Sequence, residues 1–250
     1  MRLKQLFAIL GYFFLLGLGA GNRFADPKEI IASTPWELFA TVPPTGIEQT
    51  SVLGLKNAFS PDEIIIPVAG DMVLAHINKT YALPASYVPP GLSEIAGIPT
   101  SGTEYFRAGV LPYLYQLFGA AEQAGFKLSV ISAYRSYTTQ VSTFYYWANQ
   151  YGYATASMGS ARPGHSEHQL GTAVDLGLAG KPWPTGFSWD PAAEWVRQNV
   201  PKFGFVISYP EGKTSITGYI WEPWHIRWVG AELATSLYQQ GLTLEEYLSR

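Results

Sequence analysis

The chain has 250 residues, 47% of them hydrophobic and only 14% charged, so it can bury a sizeable core and is no disordered polymer. A net charge of −3, with no block of Lys or Arg, excludes nucleic acid as an expected partner. Cysteine is absent, which removes thiol nucleophiles and Cys-ligated metal centres and is compatible with an oxidising envelope compartment.

In chain order, Met1 to Lys4 make a basic start, and Leu6 to Gly21 form an almost unbroken apolar stretch ending in small residues, the layout of an export signal. At about 1.5 Å per residue the stretch falls somewhat short of a hydrocarbon core of about 30 Å. Residues 1–21 are expected to be a signal peptide or an N-terminal membrane anchor, which places the rest in the cell envelope, either secreted or tethered. Residues 22–71 carry Pro27, Pro35, Pro43, Pro44, Pro61 and Pro67 and show no helical period. They are expected to be a spacer with short extended pieces, although Trp36 and Ile64-Ile65-Ile66 make it too apolar for a fully solvated linker. Residues 72–250 are expected to form one domain.

Within that domain, Phe106 to Ala124 sets Val110, Leu114, Leu117, Phe118 and Ala121 on one helical face, with a kink at Pro112 and a stop at Gly125. Lys127 to Ala133 alternates like a strand. Tyr137 to Tyr151 reads as a helix with Val141, Phe144, Tyr145 and Ala148 inward, ended by Gly152. Thr172 to Leu176 is β-branched and apolar and reads as a strand, as do Phe205 to Tyr209 and His225 to Val229. Asp190-Pro191 starts a helix by cap and first-turn proline. Ala231 to Gln240 is a helix stopped by Gly241, and Thr243 with Glu246 is a capping box for the last one. Helices and strands do not alternate as βαβ units, so the class is α+β, an antiparallel sheet flanked by helices.

One residue does not belong on its strand. Asp175 shares a face with Ala173 in an element that otherwise asks for burial, and a buried carboxylate needs a partner charge or a metal. His168 lies seven residues upstream, and Gly171 permits the turn that brings it back. Glu222 and His225 are three apart, which on a regular strand would send them to opposite faces, but Pro223 between them supplies a bend. A single histidine beside an apolar strand is usually a hydrogen-bonded core residue. Two such histidines, an aspartate within a strand and a glutamate beside the second histidine make a different pattern. Three ligands with an open fourth position are the inventory of a hydrolytic zinc site. His168, Asp175 and His225 are therefore the expected ligands of one Zn2+ per chain, with Glu222 near the metal but off it. Of the two other histidines, His76 and His165 are given no role, and Glu167 is expected to point away into solvent or to support the ligands from behind.

The run Ser166-Glu167-His168-Gln169-Leu170-Gly171-Thr172-Ala173-Val174-Asp175 resembles the S-x-H-x-x-G-x-A-x-D signature of VanY-type zinc D-alanyl-D-alanine carboxypeptidases, and Glu222-Pro223-Trp224-His225 matches their E-x-W-H. The likeness extends upstream through Ile131-Ser132-Ala133-Tyr134-Arg135-Ser136, Gln140, and Ile77-Asn78-Lys79-Thr80, covering roughly residues 72 to 250. The resemblance implies a Hedgehog/DD-peptidase fold, zinc on the three residues named, Glu222 as general base, and substrate contacts from Arg135, Gln140 and Ser166. Arg135 counts among the catalytic groups as well, since a guanidinium holds a carboxylate through two parallel hydrogen bonds and would favour a free C terminus.

The activity so implied is removal of the terminal D-Ala from peptidoglycan stem peptides by a monomer that meets the membrane only through its N-terminal segment. The same zinc site also serves L,D-carboxypeptidases and peptidoglycan endopeptidases, and a zinc-bearing wall-binding module without turnover is a further reading. Other hydrolase chemistries find no footing: there is no Ser-x-x-Lys, no Gly-x-Ser-x-Gly and no His-Glu-x-x-His, and Lys213-Thr214-Ser215 only approaches K-T-G.

Overall fold

The computed structural model describes residues 63–181 and 186–250. The expected signal or anchor segment, Trp36 and most of the spacer lie outside the described residues. The described end of the spacer is joined to the domain: β1 (Ile64–Ile65) runs parallel to β2 (Tyr81–Ala82), and the Asp71 carboxylate pairs with Arg107.

A hairpin follows, with β3 (Leu92–Glu94) antiparallel to β4 (Tyr105–Arg107). Here the helix expected over Phe106 to Ala124 is corrected. Phe106 pairs with Ser93 in the hairpin, and α1 runs only over Leu111–Gln123. Pro112 does not kink this helix but sits in its first turn, where a residue without an N–H leaves no bond unmade. The apolar face is the one expected: Leu114, Leu117, Phe118 and Ala121 are buried.

The main sheet has four strands in the order β5-β6-β8-β7, all antiparallel: β5 (Leu128–Ser132), β6 (Ala173–Leu178), β7 (Phe205–Ile207) and β8 (His225–Trp228). Period two divides the two inner strands. Val174, Leu176 and Ile226 are fully buried in the main core with the apolar face of α1 and with Ala192, Ala193 and Val196 of α4 (Pro191–Asn199). Ala173, Asp175, His225 and Arg227 face the other side, so the sheet has one hydrophobic face and one bearing ionisable groups.

On that second face lies a cleft whose walls include irregular chain and residues of α2 (Tyr137–Tyr151) and α3 (Tyr153–Gly159). The bounds of α2 are those read from the sequence. Ser136 caps it by accepting from Thr139 N at 3.1 Å, and Gly152 at φ 81° turns the chain directly into α3, which sequence reasoning missed. Ala148, expected inward, is only half-buried, while Gln140, Thr143 and Trp147 join the buried set. The chain closes with α5 (Thr214–Thr217), α6 (Ala231–Gln240) and α7 (Leu244–Leu248), the last beginning with the expected capping box of Thr243 and Glu246. Among the described residues no helix is long and apolar enough to cross a membrane.

Candidate metal centre and cleft

Register builds the site. In the β6–β8 ladder Asp175 stands directly opposite His225, which brings together two residues fifty apart in sequence. The Glu222-Pro223-Trp224-His225 segment closes as a tight turn, His225 N donating to Glu222 O at 3.1 Å, so both side chains face the same space despite their odd spacing. His168 arrives from a 3-10 turn over Glu167–Leu170, ended by Gly171 in the left-handed region at φ 68°. A Cβ on Gly171 would also come within 3.1 Å of Leu92 and Pro89, so both backbone and space call for glycine there.

The result is the cluster expected from the motif: one ligand atom each from His168, Asp175 and His225 lies within 4.8 Å of the others. The donor chemistry fits a cation. His168 Nδ1 lies 2.6 Å from the Ala133 carbonyl, which can only accept, so this nitrogen carries the proton. Burial, aided by the nearby Arg135 charge, lowers His168 to about 4, so the ring is neutral. Its Nε2 therefore offers a bare lone pair 3.1 Å from Asp175 Oδ2, without the alignment of a hydrogen bond. Two acceptors facing each other at that distance suit a positive charge between them.

His225 completes the set. Its Nε2 donates to Glu167 Oε2 at 2.9 Å, which leaves Nδ1, 2.9 Å from Asp175 Oδ1, as the atom that could join a metal. Burial opposes a charge on this ring, yet the hydrogen bonds to Asp175 and Glu167 prevail and raise it to about 10 in the metal-free protein. A dication in the cradle would take that proton's place. Sequence reasoning left Glu167 between solvent and a supporting role, and the structure decides for the second. Glu167 is 4% exposed, accepts from Ser208 Oγ at 2.6 Å, and pairs with the fully buried Arg227 at 2.7 Å. Burial alone would push its carboxyl up, but Arg227 and His225 hold it at about 2. A carboxylate behind a metal-ligating histidine fixes the ring and its tautomer.

His168, Asp175, His225 and Glu167 line an open cleft of about 520 Å³, a space continuous with solvent, with Ser166, Tyr209, Tyr219, Trp224 and Arg135 among its walls. Glu222 is 7% exposed, and burial, reinforced by the negative Asp175, raises it to about 8. Arg135 Nη2 lies 3.7 Å from Asp175 Oδ2, so its guanidinium stands beside the cluster with the rest of its fork available. Ser166 lines the cleft. Gln140 lies behind the wall, 1% exposed, its amide donating to Ala161 O at 2.6 Å, while Ala161 itself faces the cleft. Trp224 serves both cleft and core. His76 and His165 stand apart from the cluster, paired with Glu245 at 3.0 Å and Glu63 at 2.7 Å.

Sequence reasoning missed two aromatic residues. Tyr209 stacks on His225 at a centroid distance of 5.0 Å, and Tyr219 packs on Tyr209 at 4.5 Å. A tyrosine carries no spacing signal of its own, and only the fold brings these rings beside the histidine.

Comparison with known proteins places this cleft in a family. The model of the VanY family, D-alanyl-D-alanine carboxypeptidase, matches residues 103–231, a span that contains every ligand candidate and Glu222. The putative carboxypeptidase YodJ of Bacillus subtilis is 37% identical over 204 residues, 79% of this chain and 71% of that protein. Among solved structures, the LdcB LD-carboxypeptidase is 36% identical with a TM-score of 0.66, covering 75% of this chain and 94% of that one. A mutant of the vancomycin-resistance D,D-pentapeptidase VanY in complex with Zn(II) is 38% identical with a TM-score of 0.60, covering 70% and 98%. With the His-Asp-His cluster, the neighbouring glutamate and the sheet that aligns them all falling inside the matched span, the chain belongs to the VanY family of peptidases.

Proposed function

We propose that the protein is a zinc-dependent D-alanyl-D-alanine carboxypeptidase that removes the terminal D-Ala from peptidoglycan stem peptides. The observation that carries this reading is the juxtaposition, in one cleft, of the His168, Asp175 and His225 cradle with a buried Glu222 and the Arg135 guanidinium. Zn2+ held by His168 Nε2, Asp175 and His225 Nδ1 would supply a nucleophile from water at neutral pH and polarise the scissile carbonyl.

The chain's own groups do the rest. Glu222 takes the proton of the attacking water on a carboxylate oxygen and passes it to the leaving amine. A value of about 8 in the metal-free cleft lies near neutrality, and a dication nearby draws it lower, so the carboxylate can both accept and return the proton. Arg135 receives the substrate's terminal carboxylate, which is why a free C terminus is preferred. Ser166 is positioned on the cleft wall for a polar contact, whereas Gln140 would act by holding the Ala161 carbonyl in place.

A second reading moves the cut to the L,D bond of tetrapeptide stems. It is favoured by the likeness to the LdcB LD-carboxypeptidase, whose TM-score of 0.66 exceeds the 0.60 of the D,D-pentapeptidase. Stem peptides lie outside the cytoplasmic membrane, so an envelope location is part of the proposal, supported by the basic start and the apolar Leu6 to Gly21 stretch.

The experiment is to incubate purified protein with pentapeptide and tetrapeptide stems and weigh the products. Loss of one alanine from the pentapeptide is expected, and loss only from the tetrapeptide would replace the first reading with the second. Glu222→Gln should keep its metal while hydrolysis falls by roughly 100-fold or more. Undiminished turnover in that variant would remove Glu222 from the mechanism.

A further inference from the structure

One buried polar group in the cleft has no part in the chemistry above. Tyr219 is 3% exposed, lines the cleft with Glu222, and its hydroxyl has no hydrogen-bond partner among the described residues. An unpartnered buried hydroxyl is destabilising, and a phenylalanine of nearly the same shape would avoid that penalty.

The ring is held firmly around that unsatisfied group. Lys79 Nζ stands 3.2 Å from its centroid and also donates to the Ser157 carbonyl. Tyr209 packs against it at 4.5 Å and in turn stacks on His225. The backbone is pinned as well, Tyr219 N donating to Thr217 Oγ1 at 3.2 Å, and that hydroxyl donating to Tyr219 O at 3.3 Å. Gly218, at φ +75°, leaves the space that the Lys79 stem fills: a Cβ there would meet Lys79 Cγ at 2.8 Å. Burial, with Glu222 the strongest charge acting on it, pushes the phenol above its ordinary value, so the hydroxyl keeps its proton.

The remaining polar surface decides what such a fixed donor would meet. Glu222 and Asp175 offer acceptors, and Arg135 offers a cation for a carboxylate. A neutral donor suits an amide carbonyl. We propose that the Tyr219 hydroxyl is a substrate-binding group that donates a hydrogen bond to a backbone carbonyl of the stem peptide beside Glu222, its ring held ready by Lys79 and Tyr209. The inference rests on the carboxypeptidase reading above, and it makes Tyr219 a binding contact formed alike in the ground and transition states.

The test uses the full chain loaded with zinc and a synthetic stem pentapeptide ending in D-Ala-D-Ala. Tyr219→Phe is expected to raise KM roughly 10-fold while kcat stays within about twofold. Calorimetric binding of the same peptide to Glu222→Gln, compared with the Tyr219→Phe, Glu222→Gln double variant, should show the same roughly 10-fold rise in Kd. The melting temperature of peptide-free Tyr219→Phe should equal or exceed that of wild type, because the substitution removes an unpartnered polar group. Unchanged KM and Kd would overturn the proposal, as would a lowered melting temperature with unaltered binding, which marks a structural hydroxyl. Should the wild-type protein release no alanine, the carboxypeptidase reading fails by itself, and the Kd comparison still decides the role of Tyr219.

Discussion

Glu167→Gln removes a single charge with almost no change of shape, and the structure sets its consequences. Glu167 accepts from Arg227 at 2.7 Å on one oxygen, and from His225 Nε2 at 2.9 Å and Ser208 at 2.6 Å on the other. A glutamine has one acceptor oxygen and one donor nitrogen. If the oxygen faces Arg227, the amide N–H2 opposes the His225 and Ser208 donors. His225 can then relieve the clash only by giving up its Nε2 proton and keeping the one on Nδ1, the atom assigned to the metal. If the oxygen faces His225 instead, the N–H2 opposes a fully buried guanidinium whose other nitrogen is already committed to Val73 O and Ala75 O at 2.8 Å.

Stranding one partner of a buried ion pair costs about 3–5 kcal/mol. At about 2–4 °C per kcal/mol for a domain of this size, the metal-free variant should melt at least about 6 °C below wild type. Loss of a carboxylate behind a ligating histidine should also weaken zinc about 10- to 100-fold. Thermal denaturation of the chelated protein reads the first effect, and competition against a chromophoric chelator reads the second. A variant that melts within about 2 °C of wild type and binds zinc equally well would refute the assignment of Glu167 as the group that fixes His225.

Three further outcomes are expected. Zinc loading should release protons, because His225, raised to about 10 without metal, is protonated at neutral pH and must bind through a bare nitrogen, and because Glu222, at about 8 without metal, is drawn lower by the dication; calorimetry in buffers of different ionisation enthalpy should show at least about one proton per zinc, and none would contradict the Nδ1 assignment. Acid should destabilise the metal-free protein through Glu167: its folded value of about 2 lies below the ordinary 4.5, so its contribution is complete above pH 4.5 and is lost as pH falls toward 2, an effect that urea melts should find absent in Glu167→Gln. Gly171→Ala places a Cβ 3.1 Å from Leu92 and Pro89 at positive φ, so stability should fall by about 1–3 kcal/mol and zinc affinity with it, whereas Asp190→Ala should cost only about 1 kcal/mol for the lost cap on Ala192 N and leave zinc binding intact.

Local chemistry was legible along the chain. Helix bounds such as Tyr137 to Tyr151 and the Thr243 capping box follow from caps and glycine stops a few residues apart, and the ligand types follow from an aspartate placed where an apolar strand should continue. The reading failed where neighbours in space overruled neighbours in sequence. Phe106 has the helical period of α1, but hairpin pairing with Ser93 takes it into a strand. Glu167 looks like a surface carboxylate until Arg227, sixty residues on, meets it in the interior.

The tertiary structure alone decided that Asp175 faces His225, because a strand's sequence fixes which residues share a face and never which partner residue stands across the ladder. It also decided that Gln140 sits behind the wall and that Tyr219 stands in the cleft with an unsatisfied hydroxyl. Burial and hydrogen bonding are properties of what the fold packs around a side chain, and no spacing along the chain encodes them.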